Sequence, residues 1–188
     1  MSDPVFMADA MPKKVKRSRK RERVSLTELR HSFEDEGAFF LKIADLPHFA
    51  GAQFRFDLEK PFDAFVSYRG IPIAIEAKTL KAYAAFGTQI RSSQVKGLNK
   101  FIAKSAGGYG FIFLNIRSKK PRINRLIIFD WNEWGERFSS GWTMKKKDLE
   151  CQPFIVGKKG RFDLTPWLMT LRIRKNKSRK PWRKKAKA

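Results

Sequence analysis

The chain has 188 residues and carries 41 Lys and Arg against 18 Asp and Glu, a formal charge of +23. A field of that size favours polyanions, nucleic acid first and anionic membrane second. No stretch approaches the roughly 20 apolar residues of a spanning helix, no signal-peptide pattern opens the chain, and one cysteine, Cys151, excludes a disulfide framework or a multi-cysteine zinc site.

The length predicts one folded body, in an intracellular, cytoplasmic protein of a cell or of a phage-infected host. The run KKVKRSRKRER (Lys13 to Arg23) closes a basic arm over residues 1–23, and residues 172–188 form a second basic tail. Neither run sustains an apolar period, so both read as flexible arms, for contact with backbone phosphates ahead of the alternative, a localisation signal. Trp182 in the tail either stacks on a base or docks on the body. Between them, residues 24–171 have a more ordinary charge balance.

In chain order, Ser25 with Glu28 fits a capping box, and Leu26, Leu29 and Phe33 follow at helical spacing up to Gly37. AFFLKI (Ala38 to Ile43) predicts the first strand. Residues 45–60 have no clear period and read as a loop or protruding segment. FDAFVSY (Phe62 to Tyr68) and IPIAIEAK (Ile71 to Lys78) predict two strands joined at Arg69-Gly70. Lys81 to Ser92 reads as a mobile loop, and Ser93 to Lys104 as a helix with Val95, Leu98, Phe101 and Ile102 on one face. YGFIFLNI (Tyr109 to Ile116) has the continuous apolar run of a central strand, and RLIIFD (Arg125 to Asp130) predicts another. Short helices are expected at Trp131 to Phe138 and Pro166 to Leu171. The order implies an α/β domain, a single mixed β-sheet flanked by helices.

If the two strands pair across Arg69-Gly70, opposed residues have numbers summing to 139. Asp63 then faces Glu76, and Lys78 lies one pleat further on the same face. Opposed carboxylates repel unless a cation lies between them. Two hard oxygen ligands with open positions suit Mg²⁺, with Mn²⁺ as a substitute, and not zinc. With a phosphodiester oxygen completing the shell, such a site is that of a nuclease, Lys78 steering or activating the nucleophile. A Glu-x-Lys on a strand is more often a solvated face, but Asp63 opposite it favours the catalytic reading, and the basic charge and the following helix favour it further.

Asp63 with Glu76-Ala77-Lys78, preceded by Pro61-Phe62, resembles the PD-(D/E)xK nuclease superfamily. The spacing, IEAK, and SSQVKGLNKF opening the next helix are similar to RecU-type Holliday junction resolvases, over roughly Ser25 to Asp130. The resemblance implies a restriction-endonuclease-like fold over the nuclease domain, residues 24–171. It implies Asp63 and Glu76 as Mg²⁺ ligands, Lys78 positioning the attacking water, and Gln94 supporting the site. It also implies a stalk near Pro47 to Lys60, and a further acid from the first helix, near Glu28. Ser92, Ser93 and Lys96 stand where the family usually surrounds the glutamine with histidines. Glu28 is therefore a candidate both for catalysis and for the helix cap. His31 reads as a surface residue, Asp45 as a turn or a site neighbour, and Cys151 as a bystander.

The expected function is a metal-dependent endonuclease that resolves four-way DNA junctions by paired nicks, acting as a homodimer. The alternatives are another PD-(D/E)xK nuclease, cutting flaps, ends or a specific site, and a non-catalytic basic nucleic-acid-binding protein.

Overall fold

Two consecutive residues with positive φ, Arg69 at 49° and Gly70 at 72°, turn the chain between two strands in the manner of a type I′ hairpin. Across this turn Tyr68 pairs with Ile71 and Ala64 with Ile75, so the register sums to 139 as the sequence predicts. The computed structural model describes residues 25–43, 60–118 and 121–178. The N-terminal arm, Asp45, the expected stalk up to Glu59, and Trp182 lie outside the described residues.

The strands are β1 (Phe39–Lys42), β2 (Ala64–Tyr68), β3 (Ile71–Leu80), β4 (Tyr109–Ser118), β5 (Ile123–Asp130), β6 (Ile155–Lys158) and β7 (Arg161–Phe162). They form one seven-stranded sheet in sequence order. Only β3 and β4 run parallel. The helices are α1 (residues 25–35), α2 (Ser92–Lys104), α3 (Trp131–Ser139), α4 (Lys146–Glu150) and α5 (Thr165–Ser178). A parallel pair needs a crossover, and α2 supplies it. The expected mixed sheet flanked by helices is the fold observed.

Alternation along the strands divides the core between the two sheet faces. Ile73, Ile75, Phe111 and Phe113 point to the face covered by Leu26, Leu29 and Phe33 of α1 and Leu168 and Leu171 of α5. Trp167 stands edge-on to Phe111 and Phe113, with ring centroids 4.9 and 5.3 Å away. Ala74, Ile112, Leu114 and Phe129 point the other way, toward Leu98 of α2 and Trp131 and Phe138 of α3. Gly110 to Ile116 is buried throughout, as a strand covered on both faces must be. Gly37, at φ 71°, ends α1: Ala38 N–H donates to Phe33 O and Gly37 N–H to Glu34 O, closing a Schellman cap.

Three expectations are corrected. Residues 81–91 are anchored rather than mobile, because Phe86 is fully buried, stacks on Phe129, and exchanges backbone hydrogen bonds with Met144. A single aromatic with a deep seat fixes a segment that has no period of its own. The last helix does not stop at Leu171 but runs to Ser178, so the tail is helical at its start. Arg174 ties that extension to Asp130 at 2.5 Å and to Glu133 at 3.5 Å. Finally, α4, β6 and β7 fall where sequence periodicity predicts no element, each being too short to show one.

The approach of α2 to the start of β2 is unusually close at Gly97. A Cβ there would meet Pro61 O at 2.2 Å, backbone against backbone. Gly97→Ala should therefore push α2 away from Pro61-Phe62-Asp63 and destabilise the protein by about 1–3 kcal/mol. Thermal unfolding checks this; an unchanged melting temperature would mean that the helix yields freely.

Candidate active site

Asp63 stands one residue before β2, and its backbone is held from both sides. Its N–H donates to Ile75 O, and its C=O accepts from Ile43 N–H, each at 2.9 Å. The ladder itself ends at Ala64 and Ile75, so Asp63 is not a formal strand partner of Glu76. Its side chain instead turns onto β3, where Oδ2 accepts from Ala77 N–H at 2.9 Å, while Lys60 Nζ lies 2.6 Å from Oδ1.

Glu76 lies between Ala74 and Lys78 on the sheet face that carries α2. It is fully buried. Its Oε1 accepts from Lys78 Nζ at 2.9 Å and from Gln94 Nε2 at 2.5 Å. Its Oε2 is buried and accepts no hydrogen bond among the described residues. Gln94 stands in the first turn of α2 and its Oε1 accepts twice, from Arg91 N–H at 2.9 Å and from Lys78 Nζ at 3.0 Å. Two donors at that atom fix the amide orientation and aim Nε2 at Glu76. One glutamine thus caps its own helix, positions the lysine, and holds the carboxylate.

Burial first, and the negative charge of Asp63 second, push the Glu76 carboxyl from its ordinary 4.5 up to about 8 against the opposite pull of Lys78. A buried carboxyl with an orphaned oxygen beside a second carboxylate is what a cation-binding site presents when protein groups alone describe it. Among the described residues no cluster of three or more His, Cys, Asp or Glu occurs. A pair of carboxylates is an oxygen set of the kind that Mg²⁺ accepts, since that ion keeps several waters of its own.

The structure thus brings Asp63, Glu76, Lys78 and Gln94 together, and it places Glu28 elsewhere. Glu28 projects from α1, on the opposite sheet face, and Arg117 Nη1 lies 2.6 Å from its Oε1. Asn124 Nδ2 donates to Oε2 at 3.5 Å. Arg117 is five residues beyond Ile112, the β4 partner of Glu76. Ser25 is already helical and its buried Oγ has no partner among the described residues, so its hydroxyl makes no capping-box bond to α1 either. Neither reading of Glu28 anticipated the ion pair, since nothing local in the sequence links residues 28 and 117. His31 is half-buried beside Arg30, and Cys151 is an exposed free thiol.

No protein-family model matches the chain, and no curated protein does. Among solved structures it is similar to Hjc of Archaeoglobus fulgidus, described as a Holliday junction resolvase from an archaeal hyperthermophile. The two are 19% identical, over 60% of this chain and 77% of that one, with a TM-score of 0.38. A likeness of that size carries no weight on activity, so the functional reading rests on the residues. No helix among the described residues is long and apolar enough to cross a membrane.

Two expectations follow. Folding raises the Glu76 pKa from 4.5 to about 8, so between those values the native state keeps a proton that the unfolded chain has lost. The contribution of Glu76 to stability should thus fall as pH rises across that window, by up to about 1.4 kcal/mol per pH unit. Without divalent metal, the stability advantage of Glu76→Gln over wild type should widen from pH 5 to pH 8 in denaturant titrations. A constant difference would contradict the shift. Separately, Glu28→Gln leaves Arg117 without its counter-charge and should destabilise by about 1–3 kcal/mol, where a lost cap alone predicts less. The pH dependence due to Glu76 should be unaffected in that variant.

Proposed function

We propose that the protein is a Mg²⁺-dependent endodeoxyribonuclease that cuts four-way junctions by paired nicks, as a homodimer of RecU type. The observation that carries the reading is the buried Glu76, with one oxygen orphaned beside Asp63 and the other tied to Lys78 and Gln94. Asp63 and Glu76 hold the metal. Bound there, Mg²⁺ supplies Lewis acidity toward a phosphodiester and lowers the pKa of water. Lys78 orients the attacking water and offsets charge that builds on the phosphate. Gln94 keeps Lys78 and Glu76 in one geometry. The high net charge supplies phosphate attraction without base readout, which suits recognition by junction shape.

The test is cleavage of a labelled four-way junction beside linear duplex and flap controls, with Mg²⁺, Mn²⁺ or EDTA. Junction-selective symmetric nicks are expected with Mg²⁺ or Mn²⁺ and none in EDTA. Asp63→Asn, Glu76→Gln and Lys78→Ala should each lower cleavage by about a hundredfold or more while junction binding changes little. Full activity of any of these, or in EDTA, sinks the assignment. Equal cutting of flap or duplex points to a nuclease of another specificity. Tight binding of all three DNAs without cleavage points to a non-catalytic binding protein.

A further inference from the structure

Arg125, in β5, lies on the same sheet face as the site. Its neighbours in alternation, Ile127 and Phe129, pack with α2 and α3. It pairs with Ile116 of β4, which pairs in turn with Leu80 of β3, two residues past Lys78. Two strand spacings across and two residues along place its Cα roughly 12 Å from that of Lys78.

The side chain is held rather than free. Its guanidinium lies 4.1 Å from the ring centroid of Phe154 and 5.9 Å from that of Tyr83, and Nη1 donates to the Tyr83 hydroxyl at 3.0 Å. Tyr83 belongs to the segment that links Lys78 of β3 to Gln94 of α2. Phe154 remains 40% exposed, so the cluster opens to solvent. Among the described residues no carboxylate is within ion-pair distance of Arg125. A guanidinium has five N–H donors, and a tyrosine hydroxyl that accepts one still has its own proton to give. A half-buried, pre-oriented cation that lacks an acid is a receptor for one, and its planar fork matches a phosphate.

We propose that Arg125, oriented by Tyr83 and Phe154, binds a backbone phosphate of the DNA strand about three or four nucleotides from the one that is cut. The inference rests on the nuclease reading for its register, but the contact itself does not require catalysis. At about 3.4 Å of rise per nucleotide, 12 Å corresponds to that separation. The role is positioning: a second fixed phosphate sets the strand's direction across the carboxylates, which a lone scissile contact leaves open.

The experiment is binding of a four-way junction assembled from synthetic strands, in EDTA, with a single neutral methylphosphonate moved along one strand. For the full-length wild-type chain, affinity should fall about tenfold when the neutral linkage occupies one or two adjacent positions. Arg125→Gln, with a normal melting curve, should lose sensitivity at those positions alone and lower the salt slope by about one. Tyr83→Phe keeps both rings and the arginine, and should reduce that sensitivity severalfold; it also serves if Arg125→Gln does not fold. A wild-type profile in either folded variant, or a uniform loss along the strand, overturns the proposal. A protein with this Arg125-dependent footprint that cuts no DNA keeps the subsite and loses the nuclease reading. Cleavage with a footprint independent of Arg125 does the reverse.

Discussion

Glu76 is the residue around which the α2 side of the sheet is arranged, because a carboxylate buried beside another carboxylate destabilises the fold unless its surroundings compensate. Four donors supply part of that compensation: Lys78 and Gln94 at Glu76, and Lys60 and the Ala77 amide at Asp63. Each requires a different piece of chain to arrive in register. The β2–β3 hairpin brings Asp63 to β3, the pleat of β3 puts Lys78 on the face of Glu76, and the parallel crossover brings Gln94 over both. Gly97 then allows the helix bearing Gln94 to lie against the Pro61 backbone. The orphaned Oε2 shows that the compensation is incomplete.

The two sheet faces divide the remaining work. On the α1 and α5 face the charged groups are paired and structural, although Ser25 Oγ and Asn115 Oδ1 are buried there without a partner among the described residues. Arg117 answers Glu28, while the Ser32 hydroxyl donates to Glu28 O and accepts from Phe162 N–H, linking α1 to β7. On the other face the charged groups are left partly unmatched, at Glu76 and at Arg125. Satisfied polar contacts specify packing, whereas unsatisfied ones near a surface invite a ligand. The sign of the mismatch differs between the two places. The unpartnered acceptor oxygen of Glu76 suits a cation, and the guanidinium of Arg125 without a carboxylate among the described residues suits a phosphate.

The parts legible in the sequence are those set by short-range pattern. The apolar alternation of β2 and β3 with a two-residue link fixes their register, and so the neighbourhood of Asp63, Glu76 and Lys78. The turn was harder to read, since Arg at positive φ costs about 1 kcal/mol and is not a preferred turn residue. The same solution recurs at Lys159-Gly160, between β6 and β7. The deep seat of Phe86, the Arg117 partner of Glu28 and the Arg174 tether of α5 are pairings across the fold, which no local period reports. The Asp63–Glu76 opposition was legible as a neighbourhood but not as a ladder pair, because the Asp63 side chain takes the Ala77 amide instead.

The charge balance at the site connects its chemistry to DNA binding. Asp63 and Glu76 face two ammonium groups, Lys60 at Asp63 Oδ1 and Lys78 at Glu76 Oε1. In the proposed enzyme Asp63 and Glu76 would hold a divalent cation through oxygens that Lys60 and Lys78 already occupy, so the ammoniums would compete with it. Both lysine side chains are mostly buried, at 18% and 15% exposure, so repulsion between them and the metal is poorly screened. A phosphodiester removes that difficulty, because its negative charge gives the displaced ammoniums a new partner and the metal additional oxygens. Metal and DNA then favour each other's binding by the same factor, as linkage requires. In the proposed enzyme the lysines would thereby restrain metal occupancy until a phosphate is present, which would confine the full catalytic assembly to the DNA-bound state.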